Sequence, residues 1–442
     1  MKQSARVQWW RQFTALWQNR AALIHTPQHR IQVVACIFVG STVVAGMLFW
    51  LPLGFTAEVL TWHEAWFLAV SALTASGASL RPIASQLTPA GMWLILVLLQ
   101  CGGAGFMSIT VTILQQLGVT IFARTRIKGM HLFWAACAIE LWAGLLLAWQ
   151  WRAVFPSYGD ALFAGLFHAT SAFTNAGFDW LTPDSPLIAM TNDLPSLAVI
   201  ATTVLVGSLG LPVVVDVITS RRRLAQTTLS LAVTLLLVSG SIVTLWATPE
   251  WQLMHRTDTL AHKIMAALMD ALSWRTAGIF THADIMQMPV TTRIGLLIAM
   301  FTGCAPGTMG GGVTPTTMVV VALAVWGAFR RSHDVRLFGQ RLAPAFVRRT
   351  SIMLISSVML VCGIALLVAL IDGVAADYAV VLATAAFATS NVNAESLYQL
   401  SWLSTTLLGM GMMWGRIGVF LVIASLYGHV QTKHPASEVW AG

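Results

Sequence analysis

The chain has 442 residues, of which 57% are hydrophobic and 10% charged, and its mean hydropathy is +0.74. Soluble domains carry about 25% charged residues, so most of this surface must face lipid, and the chain reads as a polytopic membrane protein. The formal net charge of +8 does not point to nucleic acid. There is no basic arm or aromatic-interleaved basic patch, and the basic residues sit in short runs between apolar stretches, as in cytoplasmic loops of membrane proteins.

In chain order, residues 1–30 mix Lys2, Arg6, Arg11, Arg20 and Arg30 with Trp9, Trp10, Phe13, Leu16 and Trp17. This is the pattern of an amphipathic helix lying at the cytoplasmic interface, and it lacks the apolar run and small-residue site of a cleaved leader. Apolar segments long enough to cross about 30 Å of hydrocarbon follow at 31–53, 90–114, 131–151, 195–219, 227–247, 291–325, 350–371 and 402–427. Between the members of each successive pair lies a shorter, moderately apolar stretch, at 62–79, 158–178, 259–280 and 376–393. With about 13 to 15 helical residues each, these are too short to cross and fit re-entrant helices. The five cysteines are scattered and no Cys/His ligand spacing occurs, so neither a disulfide framework nor a metal site is indicated.

The short stretches share an ending. They close on Thr74-Ala75-Ser76-Gly77, Thr174-Asn175-Ala176-Gly177, Arg275-Thr276-Ala277-Gly278 and Thr389-Ser390-Asn391, and the last residues of these endings are separated by 100, 101 and 113 positions. A period near 100 marks an internal repeat. The expected fold is an all-α membrane protein of four helix–pore loop–helix repeats in a pseudo-fourfold arrangement around one ion pore. The units span 31–115, 131–220, 227–325 and 350–428, with a cytoplasmic tail at 429–442.

Charge sets the orientation. If each unit starts and ends in the cytoplasm, 18 of 25 basic residues lie inside, among them Arg124, Arg126, Lys128, Arg221, Arg222, Arg223, Arg330, Arg331, Arg336, Arg341, Arg348 and Arg349. Acidic residues such as Glu58, Glu64, Asp160, Asp179, Asp372 and Asp377 then lie outside. Both termini are expected to be cytoplasmic, and an acidic outer mouth concentrates cations.

A dehydrated cation needs its water shell replaced by fixed oxygens, which rings of backbone carbonyls supply. Glycine at a loop ending permits the left-handed backbone that turns carbonyls inward, and a short helix before the loop aims its negative end at the pore axis. Small-residue clusters also mediate ordinary helix packing, but packing clusters sit within long spans. These terminate short ones.

The four loops resemble those of the Trk/Ktr/HKT superfamily of potassium and sodium transport subunits. Gln100-Cys101-Gly102-Gly103-Ala104-Gly105-Phe106-Met107 is similar to the family's QxGGxGFM run, Gly207-Ser208-Leu209-Gly210-Leu211-Pro212 to its GGLGFP run, and Gly415-Arg416-Ile417-Gly418 to its GRxG element. The resemblance covers about residues 30–428. It implies one ion path per subunit and a homodimer in the plasma membrane, with a cytosolic nucleotide-binding ring as regulatory partner. No nucleic acid is expected as a partner. It also implies K⁺ as the transported ion, coordinated by Thr74, Ala75, Ser76, Gly77, Thr174, Asn175, Ala176, Gly177, Arg275, Thr276, Ala277, Gly278, Thr389, Ser390 and Asn391.

In unit three the run Phe301-Thr302-Gly303-Cys304-Ala305-Pro306-Gly307-Thr308-Met309-Gly310-Gly311-Gly312 must break its helix. A phosphate-binding loop is set aside because no Lys follows. By resemblance this is a gating loop under the filter, carried by Gly303, Pro306, Gly307, Gly310, Gly311 and Gly312, although Val313-Thr314-Pro315 stands where the family often has a basic residue. Arg416, an intramembrane charge, is expected near this loop either as an electrostatic barrier to the passing ion or as a staple on carbonyls.

Glu140 is read as a structural or dimer-interface residue, with Arg416 as a conceivable partner. Arg275 is expected to hold the filter loop through carbonyls, His168 to be packed and hydrogen-bonded, and Asp270 to anchor filter backbone. Asn391 replaces the family's Gly. Asn visits the left-handed region readily, so the backbone path is expected to survive, with the amide crowding or coordinating at one quadrant.

Two other transport readings stand beside channel-like K⁺ uptake: a Na⁺-permeable pore and a Na⁺/H⁺-coupled transporter of the same fold. Inverted repeats and midplane carboxylates, the usual marks of coupled transporters, are lacking beyond Glu140. An intramembrane serine protease has no GxSxG elbow to support it, and no catalytic residue is assigned.

Overall fold

The computed structural model describes residues 27–116, 128–179, 193–220, 224–256, 258–277, 279, 285–305, 307–331, 334–391, 397 and 399–418. The expected interfacial helix (apart from its last residues), the C-terminal tail, Gly278 and Pro306 lie outside the described residues. The described regular structure is helical apart from one two-stranded hairpin, β1 (Arg336–Leu337) with β2 (Gln340–Arg341), and two isolated bridges, Thr56 with Leu87 and Thr302 with Val313.

Unit one comprises α1 (Pro27–Trp50), the short α2 (Trp62–Thr74) and α3 (Ile83–Gln86), and then α4 (Pro89–Gln100), which runs through a π-helical turn at Cys101–Gly105 into α5 (Phe106–Gln116). Unit two has α6 (Gly129–Trp151), α7 (Tyr158–Phe173), α8 (Leu194–Leu209) and α9 (Leu211–Thr219). Unit three has α10 (Ala225–Trp246), α11 (Pro249–Met254), α12 (Leu260–Leu272) with a π-turn at Ser273–Ala277, α13 (Val290–Phe301) and α14 (Pro315–Phe329). Unit four has α15 (Pro344–Asp372), α16 (Ala376–Ala388) and α17 (Trp402–Met413) with a π-turn at Trp414–Gly418. This is a multi-pass membrane protein: long helices carry lipid-facing side chains such as Leu235, Leu236, Val243, Met359 and Leu370, each more than two-thirds exposed.

The short helices begin where polar caps satisfy their first amides. The Glu64 carboxylate accepts the Thr61 amide at 2.9 Å, and Ser157 Oγ accepts the Asp160 amide at 3.1 Å. Thr259 Oγ1 likewise accepts the His262 amide at 3.4 Å. At their far ends the helices pack against second helices through glycine. A Cβ at Gly102, Gly207 or Gly415 would lie 1.9, 2.0 and 1.9 Å from the carbonyl oxygens of Leu73, Phe173 and Phe387 respectively. The same contact recurs in units one, two and four, and it draws each short helix tightly against its neighbour.

The span expected at 195–219 is not continuous. It bends by 92° at Gly210, whose φ of +78° and following Leu211-Pro212 end one helix and start another. Among the described residues, five other helices are long and apolar enough to cross singly. The expected span at 291–325 is broken as its glycines require, leaving two helices of 12 and 15 residues. The fourth-unit span at 402–427 is described only to residue 418.

Candidate functional site

The described residues of the four short-helix endings pack against one another and are buried. In units one, two and four the helix closes in the same way. Ala75, Asn175 and Thr389 adopt left-handed backbone with φ of +54°, +56° and +52°. Their amides bond back three residues, to Ala72, Ala172 and Ala386, and the next amides bond back five, to Ser71, Ser171 and Ala385. These are Schellman closures built on non-glycine residues. They place Thr389 at the position of Ala75 and Asn175. Two residues on, Gly77 and Gly177 have φ of +72° and +79°. Asn391 does not: the expectation that it would keep a left-handed backbone is corrected, since its φ is not positive. The left-handed region costs a residue with a Cβ more than it costs glycine. Unit three uses the π-turn at Ser273–Ala277 instead of a Schellman closure.

The endings pack as a ring. A Cβ on Gly77 would come within 1.8 Å of the Ala176 carbonyl oxygen, and one on Gly177 within 1.6 Å of that of Ala277. Thr276 Oγ1 donates to Asn175 Oδ1 at 2.9 Å, and Ser390 Oγ reaches the Trp274 carbonyl at 3.4 Å. Unit four closes on unit one through α17 against α2, where Gly409 abuts Trp66. Thr74, Ala75, Ser76, Thr174, Asn175, Ala176, Thr276, Ala277, Thr389 and Ser390 are all buried. Several side chains are turned into the protein: Thr74 and Thr174 Oγ1 donate to the Val70 and Thr170 carbonyls at 2.8 Å, and Asn175 Nδ2 donates to the Phe173 carbonyl at 3.2 Å. Tied back in this way, these hydroxyls and the amide are engaged within the scaffold.

Beneath the ring the unit-three break forms a loop whose base is clasped. The Gly303 amide donates to Val313 O (3.0 Å), Val313 N to Phe301 O (3.1 Å) and Cys304 N to Gly311 O (3.3 Å). A Cβ at Gly303 would collide with the Gly311 carbonyl at 1.9 Å, so the two sides of the loop can touch only without one. The loop contacts every unit. The Ala305 amide donates to the Ser208 carbonyl at 3.1 Å, just before the Gly210 bend. Met309 faces Gly103 and Thr308 faces Gly210. The Gly311 amide donates to Thr389 Oγ1 at 2.8 Å. That last bond ties the loop directly to the fourth ending; composition alone could not reveal it, because it joins residues 78 positions apart.

Arg275 is not placed as expected. Its guanidinium bonds the Gly303 carbonyl at 3.0 Å and Thr234 Oγ1 at 3.2 Å, so it holds the base of the loop and does not hold filter carbonyls. Arg416, 5% exposed, donates to the Gly102 carbonyl at 2.6 Å and lies over the Phe106 ring at 5.6 Å. Its Nε and Nη1 have no hydrogen-bond partner among the described residues. Glu140 is buried between units one and two and accepts from Gln100 Nε2 and from Thr170 Oγ1. Its hydrogen-bond partners are thus these two residues, with Arg416 engaged elsewhere, and its burial within the chain removes it from any outer face. His168 packs edge-on to Trp151, with Nδ1 2.8 Å from the Ala164 carbonyl. Asp270 accepts the Trp251 indole N–H at 2.8 Å.

The fold is that of a helical membrane protein in which four short-helix endings pack together beside a broken-helix loop. A family model described as TrkH, cation transport protein, matches residues 118–427. The chain is 30% identical to the Ktr system potassium uptake protein B of Bacillus subtilis, over 93% of this chain and 96% of that one. It is 26% identical to the potassium/sodium uptake protein NtpJ of Enterococcus hirae, over 93% and 97%. The potassium transporter TrkH from Vibrio parahaemolyticus superposes with a TM-score of 0.71 at 17% identity, over 90% of this chain and 84% of that one, which establishes likeness of fold. The chain belongs to the TrkH family of cation transport proteins, and it is a transporter subunit, not an enzyme.

Proposed function

We propose that this subunit mediates channel-like uptake of K⁺, with main-chain oxygens of residues 74–77, 174–177, 275–278 and 389–391 replacing the ion's hydration shell. The observation that carries the reading is the convergence of four re-entrant endings whose hydroxyl and amide side chains are in large part bonded back into the scaffold, which leaves backbone to line the axis. Non-helical backbone at membrane depth is tolerated only where it is buried or lines a water-filled path. The names of the relatives, potassium uptake and potassium/sodium uptake, support K⁺ with Na⁺ as the second candidate. Entry is driven by the membrane potential, about 2.3 kcal/mol per charge per 100 mV.

The loop at 302–313 is proposed as the gate and Arg416 as a barrier beside it. Assembly as a homodimer in the plasma membrane, both termini cytoplasmic, with a cytosolic nucleotide-binding ring controlling the loop, completes the proposal. Purified protein in liposomes should take up K⁺ or Rb⁺ when the interior is made negative. Flux of neither K⁺ nor Na⁺, with or without a regulatory subunit, would overturn the proposal. Uptake at clamped voltage that requires a Na⁺ or proton gradient would instead favour the coupled transporter.

A further inference from the structure

Asn391 bonds where the other filter endings do not. Its Nδ2 donates to the Gly177 carbonyl oxygen at 2.8 Å, and a Cβ at Gly177 would lie only 3.0 Å from the Asn391 Cβ. Within the ring, unit two is flanked by unit one at Gly77–Ala176 and by unit three at Gly177–Ala277. Unit four is flanked by unit three, through Ser390 and Trp274, and by unit one, through α17 and α2. Units two and four therefore face each other, and the Asn391 amide spans the axis. It is also the one ring residue among Gly77, Gly177 and Asn391 without a positive φ.

We infer that Asn391 is a specificity-determining latch at the end of the ion filter: its amide N–H occupies the Gly177 carbonyl oxygen, and a cation entering that ring must displace it. The inference rests on the reading of the ring as an ion filter. A carbonyl oxygen bonded to an amide hydrogen is a weaker ligand for a cation, and the amide hydrogens present positive charge where the ion must sit. The latch weakens the ring for every cation. It weakens it most for K⁺, whose coordination relies on several fixed carbonyls more than on residual water. Exchanging one neutral hydrogen bond for an ion contact is worth about a three- to tenfold change in half-saturating concentration.

Three substitutions test the latch in the full chain reconstituted in liposomes, read as half-saturating K⁺ for flux and as K⁺/Na⁺ reversal potential. Asn391→Gly removes the amide and restores the left-handed option; Asn391→Ala removes the amide and keeps a Cβ, so agreement between them isolates the bond from the backbone. Both are expected to lower the half-saturating K⁺ about three- to tenfold and to shift the reversal potential toward K⁺. Asn391→Asp cannot donate to Gly177 when ionised, and is expected to lower half-saturation for K⁺ and Na⁺ alike. Gly77→Ser, in unit one beside unit two, would drive a Cβ to 1.8 Å from the Ala176 carbonyl oxygen and 2.9 Å from the Gly177 carbonyl carbon without removing the Asn391 amide, so it reports on the ring itself and should reduce K⁺ preference. If Gly77→Ser changes ion preference while Asn391→Gly and Asn391→Ala keep wild-type half-saturation and selectivity, the latch is wrong and the filter stands. If Gly77→Ser leaves preference untouched, the filter reading falls and the latch with it.

Discussion

Arg416 shows how much a single charge can be asked to do in this bundle. It is buried, it has one carbonyl partner at 2.6 Å, and it has no hydrogen-bonded carboxylate among the described residues. An unpaired intramembrane charge is costly, and two proposed roles rest on it, one on its charge and one on its single hydrogen bond. The two are separable. Two unit charges a few ångströms apart repel by about 4 kcal/mol at an effective dielectric of 20, and every 1.4 kcal/mol relieved is about tenfold in rate. Arg416→Met should raise basal K⁺ flux at least about tenfold, with Arg416→Lys staying near wild type, if the charge is the barrier. Equal, large increases in both variants would show that the staple on Gly102 is what keeps the path closed. Liposome flux without any regulatory subunit reads both outcomes.

The elements of this fold are positioned by contacts that leave no room for a side chain. Gly102→Ala, Gly207→Ala and Gly415→Ala each drive a Cβ to about 2 Å from a short-helix carbonyl. Overpacking of this kind typically costs about 1–3 kcal/mol. Each should lower the detergent-solubilised melting temperature by several degrees, whereas Gly240→Ala and Gly363→Ala, with nothing within 4 Å, should leave it unchanged or slightly raised by improved helix propensity. Equal melting temperatures across the set would mean the close approach carries no stability. The loop makes a second prediction at this scale. Thr389→Val keeps shape but removes the acceptor of the Gly311 amide, and a lost hydrogen bond with a stranded buried donor costs about 1–3 kcal/mol. If that bond holds the loop shut, basal flux should rise about fivefold or more. An unchanged flux with an unchanged melting temperature would release the bond from any gating role.

For the molecule as a whole, the testable quantity is orientation. The proposed topology puts basic residues such as Lys128, Arg330, Arg336 and Arg341 on the cytoplasmic side and Glu58, Arg81 and Asp377 outside; ion pairs Arg81–Glu64 (2.8 Å) and Arg293–Asp377 (2.8 Å) join residues of that outer set. Single cysteines placed at Glu58 and at Arg336, in a chain otherwise without cysteine, should react with a membrane-impermeant maleimide from outside at residue 58 only. Labelling at 336 in intact cells would invert the proposed topology.

Much of this organisation was readable from the chain because its causes are local. Hydrocarbon thickness fixes the length of a spanning helix, so the short stretches at 62–79, 158–178, 259–280 and 376–393 stood apart from the long ones. Gly303 and Gly310-Gly311-Gly312 had to interrupt their helix wherever they lay in space. The bend at Gly210 has its local cause in Gly210-Leu211-Pro212, but hydropathy runs through it unbroken and so predicts a continuous span. Other features depend on residues far apart in the chain coming together, and no period or composition encodes those. Arg275 reaches the loop and not the filter because Gly303 happens to lie beneath it; Glu140 finds Gln100 and Thr170 from two other elements. Asn391 was visible as a departure from the repeat, but that its amide crosses the axis to Gly177 depends on which unit faces which. Spanning length, repeat and break points thus follow from the sequence by itself, through local sterics and the thickness of the membrane. The partners of the buried polar groups were decided only when tertiary packing set the distances between them.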